Sequence, residues 1–170
     1  SPVSPEISLK TAWSIMRDKN IKTLPVADEN DHLLGVLAVS NLTSCYMDIW
    51  DNRILAKSNT TLDNIIDTLS AKVAYVNEDR KCFPGKIAVT AMQPDTMSEH
   101  IEEGDIAIVG DREEAQAALI NLNVSLMIVT GGYAPSEKII SLAKEHGVTI
   151  IVTQHDSFTA SRLIVQSIPV

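Results

Sequence analysis

The sequence is short of positive charge. Its 170 residues carry 14 Lys and Arg against 22 Asp and Glu, a formal net charge of −8. Non-specific nucleic-acid binding works by neutralising phosphates with basic side chains, so that class is excluded. Adhesion to an anionic membrane surface is excluded on the same ground, although a local basic pocket for a nucleotide is not. Cysteine is scarce: Cys45 and Cys82 stand far apart and in no metal-binding spacing. Both are expected as reduced thiols of a cytoplasmic protein. His32, His100 and His146 are dispersed, so no metal site is expected. No apolar run reaches the length of a membrane span, and the opening "SPVSPEISLK" has no signal-peptide anatomy. Both ends are abrupt, as expected of a piece of a longer chain.

Apolar residues are not short. They make up 45% of the chain, enough for a real core. Leu9, Ala12, Trp13 and Met16 recur at helical spacing, with Ser8 as N-cap. "IKTLPVAD" and "LLGVLAV" follow as two strands around the turn "ENDH", with Pro25 expected at a sheet margin or bulge. Ser40 opens a second helix with Leu42, Cys45, Tyr46 and Ile49 inward. This first unit, residues 1–58, is therefore helix, strand, strand, helix.

The polar stretch "WDNRILAKSNTT" marks a boundary, and residues 59–170 form a second unit. Leu62, Ile65, Ile66 and Leu69 make a helical stripe, and "KVAYV" is a strand candidate. The strands "KIAVTAM", "DIAIVG", "LMIVTG" and "TIIVTQ" follow, with helices between the last three. Ala115, Ala118, Leu119 and Leu122 form one helical face, and Ile139, Ile140 and Ala143 another, stopped at His146-Gly147. Asp156 caps the last helix, with Ala160, Leu163 and Ile164 inward. Short apolar strands alternating with helices predict an α/β domain with a mainly parallel sheet flanked by helices.

Ligands of such sheets bind beyond the carboxyl ends of the strands. Those ends carry Asp111-Arg112, Thr130-Gly131-Gly132 and Thr153-Gln154-His155. An arginine fork and backbone N–H groups there could hold an anion. The alternative is structural: Asp111 caps a helix beginning at Arg112, and the glycines supply a positive φ in a tight turn. No Lys-Ser/Thr follows the glycines, so this is no P-loop, and the spacing is not GxGxxG. His155-Asp156-Ser157 holds the three residue types of a triad, but adjacent residues cannot face one another as a triad requires. Glu99, Glu102, Glu103 and Asp105 are expected on a solvated acidic face. Trp13 and Trp50 are expected in a core or an interface.

"GDREEAQ" followed by "IVTGGYAPS" resembles the DRTGG domain, over about residues 60 to 170. The resemblance implies a regulatory or subunit-contact role for Asp111, Arg112, Thr130, Gly131 and Gly132. "SPEISLKTAWSIMRDKNIKTLPVADENDHLLGVLAVSNL" is similar to a CBS motif. Such motifs pair, and the cleft between two of them binds adenine nucleotides. By position, the resemblance puts Lys22, Thr23, Leu24, Pro25, Val26, Ala38, Ser40 and Asn41 at a nucleotide. Ala38 and Asn41 stand where many members carry Thr and Asp; Asn41 can still bond a ribose hydroxyl, whereas the Ala38 side chain cannot reach a phosphate.

A CBS motif followed directly by a DRTGG domain resembles the regulatory insert of CBS-containing family II inorganic pyrophosphatases. The resemblance implies AMP and ADP as inhibitors and ATP or diadenosine polyphosphates as activators. It implies a homodimer whose partners within the parent chain are a second CBS motif and catalytic domains using manganese or cobalt. No catalytic and no metal residue is expected in these 170 residues. Two rivals are a free-standing CBS–DRTGG regulator, and a small-molecule enzyme built on Asp111, Arg112, Thr130 and Gly131.

Overall fold

The computed structural model describes residues 1–48 and 51–170, with the side chains of residues 45–48 left aside. The first unit opens with an extended segment in which Val3 pairs in parallel with Val26. Helix α1 (Leu9–Asp18) follows, started by the Ser8 hydroxyl, which accepts the Thr11 N–H as a side-chain cap. Strands β1 (Thr23–Ala27) and β2 (Leu33–Ala38) form an antiparallel hairpin with Leu24 opposite Leu37 and Pro25 opposite Val36. Helix α2 (Val39–Asp48) starts directly from the end of β2.

Alternation along the hairpin sets its two faces. Leu24 points inward and packs with Ala12, Met16, Leu37 and Leu42. Pro25, Leu34 and Val36 are exposed on the other side. Trp13 departs from the expected apolar stripe of α1: Ala12 and Met16 are buried, and Trp13, turned away from them, is 45% exposed. Pro25 lies inside β1, and the bulge falls after it, between Val26 and Ala27. Its carbonyl accepts from Val3, so its missing N–H faces that outer edge and costs the β1–β2 ladder nothing. The inward placement expected of Cys45, Tyr46 and Ile49, and the expectation for Trp50, lie outside the described residues.

The second unit begins with α3 (Ile54–Lys57) and α4 (Leu62–Leu69), capped by Thr61. Then come β3 (Lys72–Tyr75), β4 (Ile87–Val89), a 3₁₀ turn (Pro94–Glu99), β5 (Ile106–Val109), α5 (Glu113–Asn121), β6 (Leu126–Val129), α6 (Glu137–His146), β7 (Thr149–Val152) and α7 (Ser157–Leu163). A second 3₁₀ turn, Ile164–Ser167, closes the order. The five strands lie in the order β3-β7-β6-β5-β4. All neighbours are parallel except β3, which runs antiparallel to β7 at the edge.

Both faces of this sheet are covered, which explains the continuous apolar runs. Ala107, Val109, Met127, Val129 and Ile150 meet α5 and α6 through Ala115, Leu119, Ile139 and Ala143. Ile106, Ile108, Leu126, Ile128 and Ile151 meet α4, α7 and the closing 3₁₀ turn through Ile65, Leu69, Ala160 and Ile164. Each fully buried Ile or Leu contributes roughly 1.5–3 kcal/mol. Leu55 joins this second cluster, so residues just before the expected boundary at 58 pack with the second unit.

Asp105 departs from the expected solvated acidic face. Glu99, Glu102 and Glu103 are exposed, but Asp105 is 1% exposed. Its carboxylate accepts the N–H groups of Lys86 and Glu102 and pairs with the Lys86 ammonium, which offsets the cost of burying the charge.

The units meet at a seam. Leu9 N–H donates to the Ile168 carbonyl at 2.9 Å, and Val170 N–H to the Ile7 carbonyl at 3.0 Å. Leu9 packs on the second unit's core, and Val170 on the first unit's.

Candidate functional site

Two regions hold the residues that the sequence singles out, and the structure treats them differently. At the carboxyl edge of the parallel sheet, Thr130 is buried and its hydroxyl is spent within the fold, 3.2 Å from the Val109 carbonyl and 3.1 Å from Ser157 Oγ. Gly131 and Gly132 have φ of +83° and +82°, the left-handed region expected of a tight turn. Their N–H groups are also used: Gly131 donates to the His155 carbonyl and Gly132 to the Thr153 carbonyl, both at 2.9 Å. Neither is left for a phosphate.

The expected cap at Asp111 is not formed. Helix α5 starts at Glu113, Arg112 occupies the N-cap position, and no side chain caps it. The backbone needs one more extended residue to leave β5 before it can turn, which moves the helix start along. Asp111 and Arg112 are both exposed, and neither makes an ion pair among the described residues. The first turn of α5 already carries Glu113 and Glu114, which answer the helix dipole and would repel an anion. Asp111, Glu113, Gln116, Tyr133 and Ser136 line a shallow cleft of about 220 Å³. It is acidic, and Ser136 is occupied both as cap of α6 and as donor to Glu113 at 2.7 Å. Asp156 caps α7 through the Thr159 N–H at 2.7 Å, so the His155-Asp156-Ser157 run is a helix start. Among the described residues no group of three His, Cys, Asp or Glu side chains could hold a metal ion.

The hairpin region is arranged differently. Val39 N–H donates to the Lys22 carbonyl at 3.1 Å, so the start of β1 and the start of α2 lie side by side. Helix α2 begins at Val39, one residue before the expected Ser40, because Asn41 Oδ1 accepts the Ala38 N–H at 2.8 Å and turns the chain at once. The amide nitrogen of Asn41 points to no partner among the described residues, and Ser40 and Asn41 are exposed on the first turn. Lys22 and Thr23 are exposed beside them.

The outer edge of β1 is half covered. Val3 donates to the Pro25 carbonyl and accepts from Ala27 N–H, both at 2.9 Å. By alternation the N–H and carbonyl of Thr23 point to the same edge, beyond the stretch that Val3 covers. Leu24 is 1% exposed and offers a ligand only its backbone. The apolar surface near this edge comes from Pro25 and Val36, the latter 57% exposed and not a residue the sequence pointed to. Lys22, Thr23, Pro25, Ala38, Ser40 and Asn41 thus gather around one open strand edge and one helix start.

Two family models match successive parts of the chain. Residues 2–48 match the CBS domain model, and residues 64–167 match the DRTGG domain model. A crystal structure of the CBS and DRTGG domains of the regulatory region of Clostridium perfringens pyrophosphatase, complexed with the activator diadenosine tetraphosphate, superposes with a TM-score of 0.97 at 65% identity. That match covers 99% of this chain and 74% of the other. The chain belongs to this family of CBS–DRTGG regulatory regions. It is 65% identical over 170 residues to the cobalt-dependent inorganic pyrophosphatase of Clostridium perfringens, and 30% identical over 168 residues to a probable manganese-dependent inorganic pyrophosphatase of Thermotoga maritima. The CBS–DRTGG chain covers 100% and 99% of itself in these matches, but only 31% and 30% of the two relatives.

Proposed function

We propose that this CBS–DRTGG chain is the adenine-nucleotide sensor of an inorganic pyrophosphatase and takes no part in the chemistry itself. The observation that carries the proposal is the match, at 65% identity, to a regulatory region solved with diadenosine tetraphosphate. In this proposal AMP and ADP inhibit, and ATP or a diadenosine polyphosphate activates. Cobalt or manganese serves the catalytic domains of a longer, cytoplasmic parent chain.

The nucleotide lies against the hairpin. Thr23 N–H and C=O read the adenine edge, Pro25 and Val26 flank the base, and the Asn41 amide nitrogen donates to a ribose hydroxyl. Lys22 offsets phosphate charge, which a chain of net charge −8 must supply locally. The N–H groups at the start of α2 add to that field, with Ser40 beside them. The second CBS motif closes the cleft over the exposed Pro25, Leu34 and Val36. Without that motif, a second copy of this chain covers the same face, giving a homodimer.

Calorimetry with AMP on the parent chain tests the site. Lys22→Ala is expected to weaken binding by roughly 1–2 kcal/mol, the scale of one charge-assisted hydrogen bond. Asn41→Ala removes the side chain that reaches the ribose, and is expected to weaken binding by a similar amount, roughly 1–2 kcal/mol. Undiminished binding in the double variant, or loss of binding with Arg112→Ala instead, would place the nucleotide elsewhere.

A further inference from the structure

The seam between the two units lies at one end of α1, and the nucleotide edge lies at the other. At the first end, a set of side-chain and backbone bonds joins the CBS unit to the DRTGG unit. The Lys10 ammonium donates to the Thr68 carbonyl at 3.0 Å and to the Asp67 carbonyl at 3.4 Å, the last carbonyls of α4. A cation there satisfies groups that the helix leaves open and meets the negative end of its dipole. Thr11 Oγ1 donates to Asp67 Oδ2 at 3.3 Å, and Asn64 Nδ2 to the Glu6 carbonyl at 3.1 Å. The paired backbone bonds of Ile7, Leu9, Ile168 and Val170 complete the clamp. Each unit also lends the other an apolar residue, Leu9 in one direction and Val170 in the other.

At the far end, α1 hands over directly to the hairpin. Ile21 N–H donates to the Met16 carbonyl at 2.9 Å. Met16 and Leu24, each 1% exposed, share one small core beneath β1. Ten helical residues span about 15 Å, and a helix transmits a shift along that length as a rigid rod. The seam also holds an unsettled group: among the described residues, Thr68 Oγ1 is buried with no hydrogen-bond partner, while the carbonyl of the same residue takes Lys10. An orphaned buried hydroxyl costs free energy that a small movement of α4 could recover.

We propose that α1 is the relay between the units: nucleotide bound at β1 shifts α1 along its axis, and the clamp of Lys10 and Thr11 on α4 makes the DRTGG unit move with it. This rests on the nucleotide site proposed above. A role for the DRTGG unit follows. It converts an event at the hairpin into a displacement of everything bonded to α4 and to residues 168–170. Such coupling needs two packings of the seam with different affinity for the ligand.

The test uses the full-length parent pyrophosphatase carrying Lys10→Met with Thr11→Val, which cut the side-chain clamp and leave the apolar contacts. Calorimetry gives the affinity for AMP and for diadenosine tetraphosphate, and hydrolysis of pyrophosphate gives the regulatory response. Affinity is expected to stay within about threefold of wild type while the activity ratio, with and without nucleotide, moves toward one for both nucleotides; ordinary couplings change such quantities about 5–150-fold. Hydrogen exchange of wild type is expected to change at residues 64–69 on adding diadenosine tetraphosphate. An intact response in a variant that binds nucleotide overturns the relay, and so does unchanged exchange at 64–69. Loss of binding along with the response also overturns it, since the clamp would then belong to the site or to folding. Failure of wild type itself to bind either nucleotide overturns the site proposal instead.

Discussion

Replacing Gly131 and Gly132 singly by alanine separates a turn from a phosphate cradle. Both have φ near +80°, where an L side chain costs roughly 1–2 kcal/mol. At Gly131 a new Cβ meets only the Tyr133 ring, at 3.6 Å, which is ordinary contact. Gly131→Ala should therefore cost about 1–2 kcal/mol, from the backbone alone. At Gly132 the Cβ falls 2.5 Å from Gln154 Oε1, so the exposed end of Gln154 must move as well. Displacing one flexible side chain adds about 0.5–1 kcal/mol, for a total near 2–3. Gln154→Ala alone should lie within about 0.5 kcal/mol of wild type, and in combination with Gly132→Ala should bring the cost back to that of Gly131→Ala. Urea unfolding of the chain gives all four values. Neutral substitutions at both glycines, combined with weakened nucleotide binding, would mean that the glycines serve a ligand. Absence of coupling between Gly132→Ala and Gln154→Ala would show that the steric argument is wrong.

Two further expectations concern pH and assembly. The Asp156 carboxyl is held below its usual 3.8 by the Thr159 N–H, and then by the Thr159 hydroxyl. With the folded pKa below the unfolded one, the stabilisation is present above the unfolded value and fades as pH falls through the folded value. The acid limb of thermal stability should therefore be shallower below about pH 4 in Asp156→Asn, and an unchanged limb would remove the carboxylate from the account. The exposed Pro25, Leu34 and Val36 make a surface that a second copy can cover. Sedimentation at tens of micromolar (about where weak interfaces saturate) should give a dimer, and a monomer would count against it.

The parts of the fold that short-range chemistry decides were legible in the sequence. Ser8 and Asp156 announce helix starts because a side-chain oxygen must answer the open N–H groups of a first turn. Ile106–Val109, Leu126–Val129 and residues 150–152 are apolar throughout because both faces are covered. What depends on distant pairing was not legible. Nothing in "KVAY" says that β3 runs antiparallel to β7, since direction is set by the loop that follows. Asp105 looks like one more surface acid until Lys86, 19 residues earlier, is brought beside it by the β4–β5 register. At the hairpin, Lys22, Thr23 and Asn41, which the CBS resemblance puts at a nucleotide, lie near one another where the start of β1 meets the start of α2. The sequence could not show that Leu24 faces Met16, or that Val3 occupies half of the open edge.

The pairing of Ser8 with Pro169 also bears on the order in which the chain can fold. The small core under the hairpin includes Val170, so its last piece is made long after its first. At roughly 5–20 residues per second, a ribosome needs about 10–30 s to travel from one side of that pairing to the other. For most of that interval β4, β5 and β6 can pair while α1 and the hairpin wait, incompletely covered; β7, which joins β3 to β6, arrives only shortly before Val170. Closing a loop of this length carries an entropic cost that grows only slowly with length. The same last stretch of chain thus completes both the DRTGG sheet and the core beneath the nucleotide-facing hairpin.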